Sequence, residues 1–304
     1  MGALIGTAVG DALGALFEGR DPAEINEIRD AAKKPPLLTY TDDTHMMIGV
    51  AESLIHSRGF NAGDMLSRFI KNYEAEPHRG YAAGPPYIFE RVKRGSDWRQ
   101  VSHEMYAGGS YGNGSAMRIA PVGVFYSDDI AGLKRVAYQS SEITHAHPLA
   151  QEGAAVEAYA IALATGLEPG PAFSVVDFIS ALMNFSQNEV YKAKLNIIDK
   201  FSGEMDKDSV ALELGNGVEA FNSVPTAIYS FLAFPGSFAD AVLKAISLGG
   251  DTDTLGAMTG AISGAYLGSQ AIPEEWVRKL ENRGYIETLA EQLFATKIEI
   301  SRST

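Results

Sequence analysis

Two segments carry a glycine at every fourth position: Gly2, Gly6, Gly10 and Gly14 near one end, and Gly256, Gly260, Gly264 and Gly268 near the other. In an α-helix that spacing lays the glycines in a stripe along one face. Four interior glycines cost about 4 kcal/mol of helix propensity relative to alanine, so such stripes make sense only where another backbone packs unusually close. Membrane helices use similar spacing, but the apolar run 255–267 is 13 residues long, too short to span ~30 Å of hydrocarbon. The expectation is two central helices, from opposite ends of the chain, packed in one core.

The helical signal continues outside the stripes. Apolar residues recur at intervals of three and four in 5–17, 45–55, 133–143, 149–163, 225–234, 238–248 and 286–298. Alternating strand patterns are scarce. Gly59 and Gly166 stand where C-terminal caps are expected, and Pro22 and Pro273 suit first turns. With 46% hydrophobic residues, the 304-residue chain can bury a sizeable core without staples. The expected fold is all-α, a single compact multi-helix domain over 1–304, with 71–86 and 203–217 as candidate functional loops. No low-complexity linker or internal repeat divides it.

The absence of cysteine excludes disulfides, thiol nucleophiles, iron–sulfur clusters and thiolate zinc sites, so any metal must be held by oxygen or nitrogen. The net charge is −13, with Lys and Arg spread thinly, so the electrostatic footprint of a nucleic-acid partner is missing. The apolar opening residues lack a basic flank and are interrupted by Asp11. A signal peptide is therefore not expected, and the protein is expected to be cytoplasmic, off the membrane and monomeric.

Thr41-Asp42-Asp43-Thr44 and Asp251-Thr252-Asp253-Thr254 each precede a helical pattern. Asp and Thr are favoured N-cap residues, and a single such cluster reads as capping. Two clusters carry more negative charge than two helix N-termini require. Gathered in one place, four carboxylates would repel one another and resist ionisation unless cations were present. All-oxygen ligation by Asp and Thr favours Mg2+ or Mn2+ over zinc, and two neighbouring ions would share a bridging aspartate. The clusters meet only if both ends of the chain belong to one domain.

The segments Gly6-Thr-Ala-Val-Gly-Asp-Ala-Leu-Gly14, Tyr40-Thr-Asp-Asp-Thr44 and Gly249-Gly-Asp-Thr-Asp-Thr254, in this order and spacing, resemble the ADP-ribosylglycohydrolase family. Arg79-Gly-Tyr-Ala-Ala-Gly84, Gly109-Ser-Tyr-Gly-Asn-Gly-Ser-Ala-Met-Arg118, Ile143-Thr-His-Ala146 and the stretch 214–232 are similar to its animal branch, which cleaves serine-linked ADP-ribose and poly(ADP-ribose). The family also includes the dinitrogenase reductase-activating glycohydrolases. The resemblance implies a hydrolase with a binuclear Mg2+ site at Thr41, Asp42, Asp43, Asp251, Asp253 and Thr254. It makes Glu18 a mobile metal-binding and catalytic carboxylate, with Asp42, Asp43 and Asp253 assisting. It places the diphosphate on the loop Gly109, Ser110, Tyr111, Gly112, Asn113, makes His145 a ligand-binding histidine, sets Gly217 and Val218 on the adenosine side and makes Gly84 a pocket-loop glycine. The implied partners are ADP-ribose and ADP-ribosylated proteins or peptides. The aromatic residue that faces adenine in the animal enzymes aligns here with Met105, beside Tyr106.

Other readings compete. Gly108-Gly109-Ser110-Tyr111-Gly112 satisfies the nucleophile-elbow pattern of a serine esterase, which needs a strand before it and a histidine late in the chain, whereas the last histidine is His147. The six histidines never form a zinc-protease motif. A non-catalytic ADP-ribose-binding member of the fold is the remaining alternative, against which the complete set of metal-ligand types argues. Serine, arginine, polymer and metabolite linkages present the same ADP-ribose half, so these residues leave the leaving group open.

Overall fold

The computed structural model describes residues 1–200 and 205–302. Among them are seventeen α-helices and no named strand. The first nine are α1 (Gly2–Gly14), α2 (Ile25–Ala31), α3 (Asp42–Ser57), α4 (Ala62–Ala75), α5 (Gly84–Lys93), α6 (Trp98–Val101), α7 (Ala120–Phe125), α8 (Ile130–Glu142) and α9 (Pro148–Thr165). The remainder are α10 (Val175–Phe185), α11 (Glu189–Lys200), α12 (Lys207–Glu213), α13 (Val224–Ala233), α14 (Phe238–Ser247), α15 (Thr252–Leu267), α16 (Glu274–Lys279) and α17 (Arg283–Ser301).

α1 and α15 run antiparallel through the centre, glycine stripe against glycine stripe. A methyl added to Gly2, Gly6, Gly10 or Gly14 would overlap the carbonyl oxygen of Gly264, Gly260, Gly256 or Thr252 respectively. The backbones therefore touch, and only glycine permits it. Thr252 Oγ1 donates to the Gly14 carbonyl at 2.8 Å and locks the register at one end. α9, α13 and α14 pack on α15, and α3, α7 and α17 pack on α1. All thirteen residues of α1 are buried, and the apolar side chains form one contiguous core from Ala3 to Leu293.

Each of the seven stretches with apolar three-four spacing holds a helix, and most of these helices extend beyond the stretch at one or both ends, but α1 stops at Gly14, three residues short of Phe17. The punctuation is less faithful. Pro273 is the N-cap of α16 rather than a first-turn residue, and Pro22 lies in the connection before α2. Gly166 does cap α9, whereas α3 ends at Ser57 and is capped by Arg58 in the left-handed region, one residue before Gly59. Gly268 has a φ of +82° and ends α15 instead of continuing the stripe. The stretch 71–86 is loop only between α4 and α5. Within 203–217, residues 203 and 204 lie outside the described residues, and Lys207–Glu213 is helical because Asp206 caps it by accepting from Ser209 N.

Candidate functional site

Antiparallel packing of α1 on α15 brings the end of one beside the start of the other. Glu18 follows α1, and Asp251 is the N-cap of α15, so the two meet at one end of the core. Their loops are tied together: Gly19 N donates to the Gly250 carbonyl at 2.9 Å, and Gly250 N to the Arg20 carbonyl at 3.2 Å. Gly249 and Gly250 have φ of +70° and +75°, and a methyl on Gly250 would overlap the Asn216 carbonyl. That turn needs glycine, and it aims Asp251 at the site.

The first acidic cluster is delivered by Asp11, one turn before Gly14. Its buried carboxylate accepts from Thr41 N at 3.0 and 3.1 Å, from Thr44 N at 3.0 Å and from Thr44 Oγ1 at 2.5 Å. Desolvation pushes Asp11 up to about 6 despite these bonds. Asp11 was not among the expected site residues. Its signal in the sequence was a lone acid on a helix that has no other charged residue.

Glu18, Asp251 and Asp253 offer carboxylate oxygens that lie within 4.8 Å of one another. Asp42, Asp43 and Thr254 line the same cleft, a cavity of about 230 Å3. Capping does not account for this cluster. Thr41 does cap α3, accepting from Asp43 N at 3.3 Å, but Asp251 makes no side-chain cap bond. Its Oδ2 instead accepts from Asn113 Nδ2 at 2.5 Å. Asp43 is buried, and its Oδ2 has no hydrogen-bond partner.

The electrostatics follow from burial and crowding. Desolvation, then Asp11, pushes Asp42 up to about 7. Desolvation, then Asp251, pushes Asp253 up to about 9. Asp43 is driven well above the carboxylate range by burial and by Asp253, and Glu18 is raised by burial and by Asp251. An orphaned buried carboxylate oxygen amid mutually repelling acids is an unfavourable arrangement that a divalent cation relieves. The donor set is all oxygen and fits Mg2+ or Mn2+.

Gly84, Ser110, Gly112, Asn113, His145 and Val218 also line this cleft, together with Tyr106, Met117 and Gly114. The glycine-rich loop and the 217–220 segment are joined by one antiparallel bridge: Asn113 N donates to the Val218 carbonyl at 2.9 Å, and Ala220 N to the Tyr111 carbonyl at 3.0 Å. Thr41, Gly109, Tyr111 and Gly217 are not among the residues that line it. Gly109, with φ +90°, backs onto Ala146 and His147, and the Tyr111 ring meets His147 edge-on at 5.6 Å. Three of the loop's N–H groups are already engaged, Gly109 on the Tyr106 carbonyl at 2.8 Å, Gly112 on Ser110 Oγ at 3.2 Å and Asn113 on Val218.

His145 is buried with Nδ1 2.8 Å from Thr144 Oγ1. Burial, then Arg118, pulls it down to about 3, so it acts as a neutral hydrogen-bonding group. Arg118 is itself fully buried and is pulled down to about 9 by desolvation. Its guanidinium lies over Phe69 at 4.5 Å and donates to the Ser140 carbonyl at 2.9 Å. Arg118 closes the Gly109–Arg118 segment that carries the resemblance, yet it lines none of the cleft and bears on it through its charge on His145.

The esterase arrangement is not formed. No strand precedes Ser110 among the described residues, its Oγ accepts from Gly112 N, and His147 Nδ1 is used to cap α9 by accepting from Leu149 N at 3.1 Å. No cluster of histidines with metal-ligand spacing occurs among the described residues.

Comparison with known proteins agrees with this geometry. The profile of the ADP-ribosylglycohydrolase family matches residues 1–301. "ADP-ribosylhydrolase ARH3" of Gallus gallus is 34% identical, covering 92% of this chain and 88% of that protein. The Homo sapiens protein of the same name is 33% identical, covering 94% and 90%. "ADP-ribosylarginine hydrolase Tri1" of Serratia proteamaculans is 27% identical, covering 96% and 78%. A solved structure titled "ADP-ribosylglycohydrolase-related protein complex" superposes with a TM-score of 0.75 at 27% identity, covering 97% of this chain and 96% of that one. The chain belongs to the ADP-ribosylglycohydrolase family and is, with it, a hydrolase of glycosidic bonds.

Proposed function

We propose that the protein is a Mg2+-dependent hydrolase that breaks the bond between ADP-ribose and a serine side chain, releasing ADP-ribose. The convergence of Glu18, Asp42, Asp43, Asp251 and Asp253 on one cleft, with Asp43 Oδ2 left unpartnered, carries this reading. Thr41, Asp42, Asp43, Asp251, Asp253 and Thr254 are the residues that would hold two Mg2+ ions, whose charge orients ribose hydroxyls and acidifies water in such a site. Glu18, exposed at the edge of the acids with its affinity for protons raised, can hold a proton on its carboxyl and pass it to the departing oxygen. Neutral His145 and Ser110 offer hydrogen bonds to the diphosphate without adding charge. Tyr106, half exposed on the cleft, offers the aromatic face to adenine at the place where Met105 aligns.

Serine is favoured as the leaving group because the segments 79–84, 109–118, 143–146 and 214–232 resemble the serine-directed branch, while the ADP-ribosylarginine hydrolase Tri1 is a more distant relative than the ARH3 proteins. The test is release of free ADP-ribose from a serine-ADP-ribosylated peptide, alongside an arginine-linked peptide, with Mg2+ or with EDTA. Mg2+-dependent release from the serine substrate is expected. Release from the arginine substrate alone would reassign the leaving group, and release unaffected by EDTA would remove the metal from the reaction. Asp251→Asn and Asp253→Asn should reduce turnover to background with helical circular dichroism unchanged. Full turnover in either variant would sink the two-metal reading.

A further inference from the structure

An open groove of about 620 Å3 adjoins the acidic cleft beside the start of α3, walled by Thr39, Thr41, Glu76, His78, Gly80 and Glu281. Thr41 lines this groove, while the next two residues, Asp42 and Asp43, line the cleft. Gly80 lines both. Its φ is +94°, and an added Cβ would come within 3.4 Å of Asp42 Oδ1 and 3.9 Å of Thr41 Cβ. Groove and cleft thus meet at a residue without a side chain, beside Asp42.

The groove is also acidic. Arg79 is gripped in bidentate fashion by Glu281, at 2.7 and 2.9 Å, and is paired with Glu76 as well. It donates to the Tyr40 carbonyl at 3.0 Å and lies 4.3 Å from the Tyr40 ring centroid. Two carboxylates share one guanidinium, and both remain partly exposed. The wall keeps a surplus negative charge.

We infer that this groove seats the polypeptide that bears the modified side chain, with a preference for a basic residue next to it. The inference rests on reading the cleft as an ADP-ribosyl hydrolase site. Ser110, His145 and Val218, which line the ADP-ribose end of the cleft, do not touch the groove. The bond to be broken lies at the acids, so the leaving chain must depart past residues that ADP-ribose does not cover, and the groove meets the acids at Gly80. An anionic polymer would meet the surplus negative charge, whereas a basic peptide is drawn to it.

The test uses the full chain and three substrates: a serine-ADP-ribosylated peptide with a neighbouring Lys, the same peptide with Glu there, and a conjugate in which ADP-ribose carries only a nitrophenyl group. The Lys peptide should exceed the Glu peptide in kcat/KM by about threefold, the scale of one exposed charge pair. Glu76→Gln should narrow that gap, since Glu281 still holds Arg79. Thr39→Trp, at an exposed position outside the acidic cleft, should lower kcat/KM several-fold on both peptides. It should leave the nitrophenyl conjugate and inhibition by free ADP-ribose unchanged. Equal losses on peptide and conjugate, or none on the peptides, would overturn the inference. Where no substrate turns over, fluorescence anisotropy of the labelled peptide decides. Failure to bind free ADP-ribose sinks the reading of the cleft and this inference with it. Retained ADP-ribose binding, with peptide affinity equal in wild type and Thr39→Trp, sinks the groove alone.

Discussion

Asp11 sits on a helix otherwise composed of glycine, apolar residues and one threonine, and its two oxygens receive three donors from the first turn of α3. It touches none of the cleft, so its role is to position Thr41, Asp42 and Asp43. Asp11→Asn keeps the size but turns an acceptor oxygen into a donor facing Thr44 N and Oγ1. That should weaken Mg2+ binding by about 10–100-fold, the usual cost of disturbing the groups that orient metal ligands. Isothermal titration against wild type would measure it, and unchanged Mg2+ affinity would make Asp11 a merely structural residue. The identities of Asp42, Asp43, Asp251 and Asp253 as site residues were legible from their clustering. Asp11 was not, because a single acid in an apolar segment carries no periodicity and its partners are 30 or more residues away.

At the scale of elements, the glycine stripes are a packing device, and most of the site's placement depends on them. A methyl on Gly6 or Gly260 would overlap the opposing backbone carbonyl, which cannot rotate out of the way as a side chain could. Alanine normally stabilises a helix over glycine by about 1 kcal/mol. Gly6→Ala and Gly260→Ala should reverse that sign and cost about 1–3 kcal/mol from overpacking. Gly284→Ala is the control, since it lies on the exposed first turn of α17 with nothing within 4 Å. Urea denaturation of the three variants tests this, and a Gly6→Ala protein as stable as Gly284→Ala would contradict the close backbone contact. The stripes and their mutual packing could be read from spacing alone. Their antiparallel direction could not, yet that direction is what puts Glu18 beside Asp251.

For the whole molecule, crowded carboxylates couple stability to pH and metal. Unfolded aspartates titrate near about 3.9, whereas Asp11, Asp42 and Asp253 are pushed up to about 6, 7 and 9 by burial and mutual repulsion. For acids raised in this way, the folded chain holds more protons than the unfolded one between those values, so their contribution is full below about 3.9 and is lost as pH rises through 6 to 9. The Tm of the EDTA-treated protein should therefore fall as pH rises through this window. Added Mg2+ should raise Tm most at its alkaline end, where the ligands are ionised. Thermal scans across pH with and without Mg2+ check both signs, and Asp253→Asn should flatten the metal-free slope. The sequence by itself determined the all-helical class, the paired glycine helices, the acid clusters and the glycine-rich loop, because each is written in spacing along a short stretch of chain. Only the tertiary structure decided that Asn113 donates to Asp251, that Arg118 is a buried cation whose charge acts on His145, and that Gly80 lines both the cleft and an acidic groove. Those relations join residues far apart in the chain and depend on burial, which no local pattern encodes.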